Sequence, residues 1–144
     1  MKLKELLNGI YHKALDPVFE DLEVACMACD SRLPQADGLF VALPGFKFNG
    51  GDFIKEAIAQ GARVIVKQAA TGKTYLPPAG VCVLEVDAPK DFLYQAALRF
   101  YKEPSRKVNS VGVTGTNGKT TITYLIESII HAVGASCGVI GTIN

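Results

Sequence analysis

Gly115-Thr116-Asn117-Gly118-Lys119-Thr120-Thr121 is a glycine-rich run that closes on a lysine and two threonines, and this spacing suits the polyphosphate of a nucleoside triphosphate. Backbone N–H groups of such a turn converge on one concavity, and a helix starting just after it adds the partial positive charge of its N-terminus. Lys119 then reaches the β- and γ-phosphates, and the Thr120 hydroxyl is placed to ligate Mg²⁺. The strict pattern G-x-x-x-x-G-K-[ST] requires glycine at position 113, where this chain has Val113, with Gly112 one residue early.

The flanks supply the context that the loop needs. Val108 to Val113 reads as a strand leading in. Ile122, Leu125, Ile126, Ile129, Ile130 and Val133 recur at the spacing of one helix face leading out. Ala135 to Ile140 is the next strand-like run, so the segment predicts one βαβ unit. A single such unit is too little to make a covered parallel sheet. The expectation is therefore that these 144 residues are a fragment of a longer polypeptide.

Upstream, the pattern is again α/β. A short helix over Lys2 to Leu7 precedes a strand over Val24 to Cys29 and the polar turn Asp30-Ser31-Arg32. Leu39-Phe40-Val41-Ala42-Leu43 is continuously apolar and closes on Pro44-Gly45, as a strand buried on both faces would. Asp52 is placed to cap a helix with Phe53, Ile54, Ala57 and Ile58 on its apolar side, ending near Gln60-Gly61. Arg63 to Val66 and Val81 to Val86 read as further strands, joined through the turn-rich stretch Thr71 to Gly80. Pro89 opens a helix lined by Phe92, Leu93, Ala96, Ala97 and Phe100. The polar, proline-bearing run Glu103 to Lys107 marks a boundary, giving domains 1–104 and 105–144.

Composition narrows the function classes. Lys plus Arg is 15 against 14 for Asp plus Glu, which gives no positive field to gather nucleic acid. No apolar stretch approaches the ~20 residues of a membrane span, and Met1 to Leu7 lacks the apolar core of a signal peptide. The cytoplasm is the expected compartment, and a monomer the expected state. Cys26 and Cys29 form one isolated close pair, with Cys82, Cys137, His12 and His131 scattered, so small apolar strand residues are expected rather than a metal or redox centre.

Gly112 to Thr121 resembles the ATP loop of the Mur ligases, in which the position of Val113 is commonly not glycine. Asp30-Ser31-Arg32, Gly38 to Gly45, Asp52-Phe53-Ile54 and Ala57 to Ala62 are similar in order and spacing to the uridine-nucleotide-binding domain of the UDP-N-acetylmuramoyl-tripeptide synthetase (MurE) type, and Phe100-Tyr101 and Pro104-Ser105 continue the likeness. Two positions depart from it. Gln35-Ala36-Asp37-Gly38 replaces the usual Pro-Gly-Asp, and Gly51 stands where histidine is often found.

The resemblance implies a small α/β uridine-nucleotide-binding domain followed by the first βαβ unit of a P-loop, parallel-sheet ATPase domain. It implies an ATP- and Mg²⁺-dependent amide ligase of peptidoglycan synthesis. The third amino acid, meso-diaminopimelate or L-lysine, would join UDP-N-acetylmuramoyl-L-alanyl-D-glutamate through an acyl phosphate. ATP would lie on Gly115 to Thr121, with Thr120 on the metal, and the UDP-sugar on Cys29, Ser31, Phe46, Lys47 and Phe48. No catalytic residue is assigned, because further metal ligands, a carbamylated lysine and the amino-acid-selecting domain are expected beyond Asn144. The chain alone is expected to be inactive. From the residues alone, Ser31 equally suits a turn, Phe46 and Phe48 equally suit a small core, and Asp30 equally suits a structural pair with Arg32. Two alternatives stay open: a non-catalytic module binding a uridine sugar nucleotide, and another Mur-type ligase such as the D-Ala-D-Ala-adding enzyme.

Overall fold

Apolar runs long enough for strands alternate with short amphipathic helices, and in the computed structural model they assemble as an α/β fold. The structure describes residues 1–11, 13–33, 35–45, 49–69 and 76–141. The chain divides into two compact units, Met1–Pro104 and Ser105–Asn144.

In the first unit, α1 (Leu3–Leu7) is followed by β1 (Met27–Ala28), β2 (Gly38–Val41), α2 (Ile54–Ala59), β3 (Ala62–Gln68), β4 (Cys82–Val86) and α3 (Pro89–Phe100). The four strands form one sheet in the order β1-β2-β3-β4. All neighbours run parallel. A parallel sheet is covered on both faces, which explains why every residue of β2 is buried. Leu39, Val41, Val64, Val66, Cys82 and Leu84 pack with α1 and α3. Phe40, Ala42 and Ile65 belong to a second cluster with Ile54 and Ala57 of α2.

Two expectations change in detail. The strand expected over Val24 to Cys29 is only Met27–Ala28, because the backbone before it is committed elsewhere: the Val24 N–H donates to the Met1 carbonyl and the Ala25 N–H to the Asp37 carbonyl. Asp52 does not cap the second helix. A 3₁₀ turn over Gly50–Phe53 comes first, and its cap is Asn49, whose Oδ1 accepts from the Gly51 N–H at 3.0 Å.

The second unit carries α4 (Lys119–Ala132) after a glycine turn. The strands expected at Val108 to Val113 and Ala135 to Ile140 do not form among the described residues. A parallel pair needs both faces covered, and no described residue of this unit is buried. Ile122, Leu125 and Ile129, on the expected apolar helix face, are exposed.

Candidate functional site

Two places gather the candidate residues, one in each unit. In the second unit, Gly115 and Gly118 take φ values of 149° and 76°, which glycine adopts without strain. A Cβ on Gly118 would meet nothing within 4 Å, and one on Gly115 only the Asn117 carbonyl oxygen at 3.7 Å. The turn therefore has free space beside both glycines. Gly118 precedes α4, and its carbonyl accepts the Ile122 N–H at 2.9 Å, so the free N–H groups of the first helical turn face the loop.

Lys119 Nζ donates to the Gly115 carbonyl oxygen at 2.6 Å and to that of Thr116 at 3.3 Å. The ammonium is thus held over the turn. Lys119 and Thr120 also border a hollow of about 690 Å³, together with Gly112, Val113, Tyr124 and Val139. These features fit a polyphosphate: main-chain donors, a helix N-terminus and one cation. For Mg²⁺ the loop offers neutral oxygens, the Thr120 hydroxyl among them, and no group of three His, Cys, Asp or Glu side chains that could hold a metal occurs among the described residues. A cation with that little protein ligation fits the usual Mg²⁺ arrangement, bound through substrate phosphates.

In the first unit, the carboxyl ends of parallel strands open a crevice, the usual place for a ligand in this architecture. The turn after β1 and the segment after β2 enclose a hollow of about 530 Å³ lined by Cys29, Ser31, Arg32, Phe53, Glu56 and neighbours. Cys29 and Ser31, expected in one site, do meet there. Ser31 is 6% exposed, and its hydroxyl donates to Glu56 Oε2 at 2.6 Å. Asp30 and Arg32 pair directly: Nε donates to Oδ1 at 2.9 Å and Nη2 to Oδ2 at 2.6 Å. Hydrogen bonds from the Arg32 side chain, and then from its backbone N–H, hold the Asp30 carboxyl well below its ordinary 3.8, at about 2. Phe40 lines the inner wall but is 1% exposed and belongs to the core. Phe46, Lys47 and Phe48 lie outside the described residues.

The two departures from the expected pattern have structural counterparts. Asp37 takes φ 50°, the left-handed region that favours glycine. A Cβ on Gly38 would meet the Gln35 carbonyl oxygen at 2.8 Å and Cys26 Sγ at 2.9 Å. Gly51 has room, its nearest neighbour being Asn49 Oδ1 at 3.4 Å from an added Cβ, whereas one on Gly50 would fall 2.5 Å from the Leu43 nitrogen.

Sequence reading missed Glu56, because its contact with Ser31 joins residues 25 positions apart on different elements. It also left Arg32 undecided. All four cysteines are free. Cys26 is half-buried, Cys29 exposed and Cys82 buried. Burial pushes the Cys82 thiol from 9.0 up to about 11. No described helix is long and apolar enough to cross a membrane.

The family described as "Mur ligase family, catalytic domain" matches residues 23–101, more than half of the chain. Among curated relatives, UDP-N-acetylmuramoyl-L-alanyl-D-glutamate--2,6-diaminopimelate ligase of Pseudomonas syringae pv. tomato is 39% identical over 133 residues, covering 92% of this chain and 26% of the relative. Proteins of the same name from Alkaliphilus oremlandii and Oceanobacillus iheyensis are 37% and 34% identical over 144 residues, covering 100% of this chain and 28% of each relative. The chain thus spans about a quarter of the length of the curated relatives that it matches.

Proposed function

The chain belongs to the Mur ligase family, and from that membership we propose that it is the substrate-loading portion of an ATP-dependent ligase that adds diaminopimelate to UDP-N-acetylmuramoyl-L-alanyl-D-glutamate in the cytoplasm. One observation carries this reading: the likeness to the diaminopimelate ligases runs over all 144 residues, through the Ser31 hollow and the Lys119 loop alike. The first unit, 1–104, takes the uridine end of the sugar nucleotide. The second, from 105, takes ATP.

Each group has a physical role in this scheme. Main-chain N–H groups of Gly115 to Thr121 and the Lys119 ammonium neutralise and orient the triphosphate, and the Thr120 hydroxyl supplies one oxygen to Mg²⁺. Bound there, the ion would offset the negative charge of the phosphates during transfer. In the complete reaction an oxygen of the D-glutamate carboxylate takes the γ-phosphoryl group and ADP leaves. The diaminopimelate amine then attacks the acyl carbon, and phosphate leaves as the amide forms. Positioning supplies most of such catalysis. Cys29 and Ser31, with Phe46, Lys47 and Phe48, are proposed to hold the uridine nucleotide.

Calorimetric titration of the chain tests the reading. Expected are one-to-one binding of UDP-N-acetylmuramoyl-dipeptide and separate binding of ATP that weakens when Mg²⁺ is chelated, with no phosphate release when both substrates are supplied. Failure to bind the UDP-sugar peptide would overturn the assignment of the first unit. Binding of it without any binding of ATP would point to a non-catalytic uridine-sugar module.

A further inference from the structure

We propose that Asn117 is a spontaneous deamidation site whose conversion to aspartate or isoaspartate puts a carboxylate into the phosphate loop and weakens ATP binding; the site stands on the geometry of the loop, its consequence on the ATP reading of the second unit. The dipeptide Asn-Gly, in which no Cβ hinders the backbone nitrogen, occurs as Asn8-Gly9, Asn49-Gly50 and Asn117-Gly118. Their surroundings differ. In Asn49-Gly50 both reacting groups are engaged: the Gly50 N–H donates to the Leu43 carbonyl at 2.9 Å, and Asn49 Oδ1 accepts from the Gly51 N–H at 3.0 Å. In Asn8-Gly9 the carbonyl of the linking peptide accepts from Arg99 Nη1, which ties the plane of that peptide to α3. Asn117 and Gly118 are exposed, and a Cβ on Gly118 would meet nothing within 4 Å. Among the described residues, neither the Asn117 side chain nor the Gly118 N–H has a hydrogen-bond partner.

The reaction needs only water and hydroxide. Hydroxide removes the Gly118 amide proton, the nitrogen attacks Asn117 Cγ, and the bond from Cγ to the side-chain nitrogen breaks. That nitrogen takes a proton from water and leaves as ammonia. Water then opens the cyclic imide at either carbonyl, giving aspartate, or isoaspartate with the main chain rerouted through the side-chain carbon. Either product carries a negative charge just before α4, where main-chain N–H groups and the Lys119 ammonium are proposed to meet the triphosphate. A carboxylate there competes for the same donors and repels the phosphates. Isoaspartate also adds an atom to the main chain next to the left-handed turn that Gly118 makes at φ 76°. Bound ATP engages the loop's N–H groups, so it protects the nitrogen that would attack.

The test ages the chain in mildly alkaline buffer with and without ATP and Mg²⁺, maps each Asn-Gly peptide by mass spectrometry, and titrates ATP into fresh and aged samples. Asn49 reacts only after both its hydrogen bonds open, so Asn117 should convert about tenfold faster or more. Saturating ATP should slow conversion at Asn117 and not at Asn49. ATP affinity should fall as Asn117 converts, and Asn117→Asp, which carries the charge from the start, should bind ATP weaker than the parent by about tenfold or more. Asn117→Ala cannot form the ring, so its own ATP affinity should be the same before and after ageing. Conversion of Asn117 no faster than that of Asn49 overturns the inference and leaves the ATP reading standing. So does an aged chain, converted at Asn117, that binds ATP as the fresh one does, or an equal loss on ageing in Asn117→Ala. Conversion at an undiminished rate in chain saturated with ATP overturns it as well. No ATP binding by the fresh chain overturns both.

Discussion

Lys119 turns its ammonium back on the loop that carries it, 2.6 Å from the carbonyl oxygen of Gly115. Two main-chain carbonyls hold the charge where a triphosphate would replace them as the partner. Lys119→Ala should weaken ATP binding at least tenfold, about 1.4 kcal/mol, without changing UDP binding. Paired calorimetric titrations check this, and unchanged ATP affinity would remove Lys119 from the site.

Arg99 links the two helices on one face of the sheet. Its Nη1 donates to the carbonyls of Glu5 at 3.3 Å, Leu6 at 3.0 Å and Asn8. These are carbonyls that α1 leaves without helical partners. Arg99→Ala should cost about 1–2 kcal/mol in a urea melt, near the lower end for hydrogen bonds to charged groups because the site is partly wet. Arg99→Lys should recover only part, lacking the guanidinium's fork.

Gly50 and Gly51 should differ sharply although they are adjacent. A methyl group on Gly50 meets main-chain atoms of Leu43 at 2.5 and 2.6 Å, which cannot swing aside. Gly50→Ala should destabilise by about 1–3 kcal/mol, as forced packing does, and weaken UDP binding by displacing the hollow's wall. Gly51→Ala should melt within about 0.5 kcal/mol of the parent.

Asp30 sets a pH dependence of definite sign. Its folded value, about 2, lies below the ordinary 3.8, so its contribution is fully present above 3.8 and is lost as the pH falls through about 2. Urea midpoints of the parent and Asp30→Asn should therefore differ at neutral pH and converge at acid pH. Curves that stay parallel to the lowest pH would show that the Arg32 pair adds nothing.

Thiol labelling should separate the cysteines. Exposed Cys29 should react with a disulfide reagent at neutral pH within minutes, and Cys82, buried with its thiol near 11, only after denaturant is added. Equal rates would mean that β4 opens readily.

Where apolar runs were continuous, the sequence carried the fold. Leu39 to Val41 was legible as a strand buried on both faces, and Arg63 to Val66 as a strand, because parallel strands are continuous apolar runs. The Val24 end of the expected first strand was not, since a β-branched residue reads as strand while its N–H goes to Met1. Val108 to Val113 and Ala135 to Ile140 carry strand composition without a ladder, because pairing depends on neighbours that composition does not supply. In the hollow, Cys29 and Ser31 were singled out only by the family resemblance, since a serine in a turn is ordinary, and Glu56 was hidden, its contact depending on how α2 packs back over the sheet.

The spatial order of the strands repeats their order along the chain. As the polypeptide leaves the ribosome, each new strand therefore finds its neighbour already made. α3 closes a long circuit, returning to residues near the N-terminus through Arg99. A nascent chain stopped before that helix emerges would hold a sheet with one greasy side covered only in part, by α1, which is the form a holding chaperone would recognise.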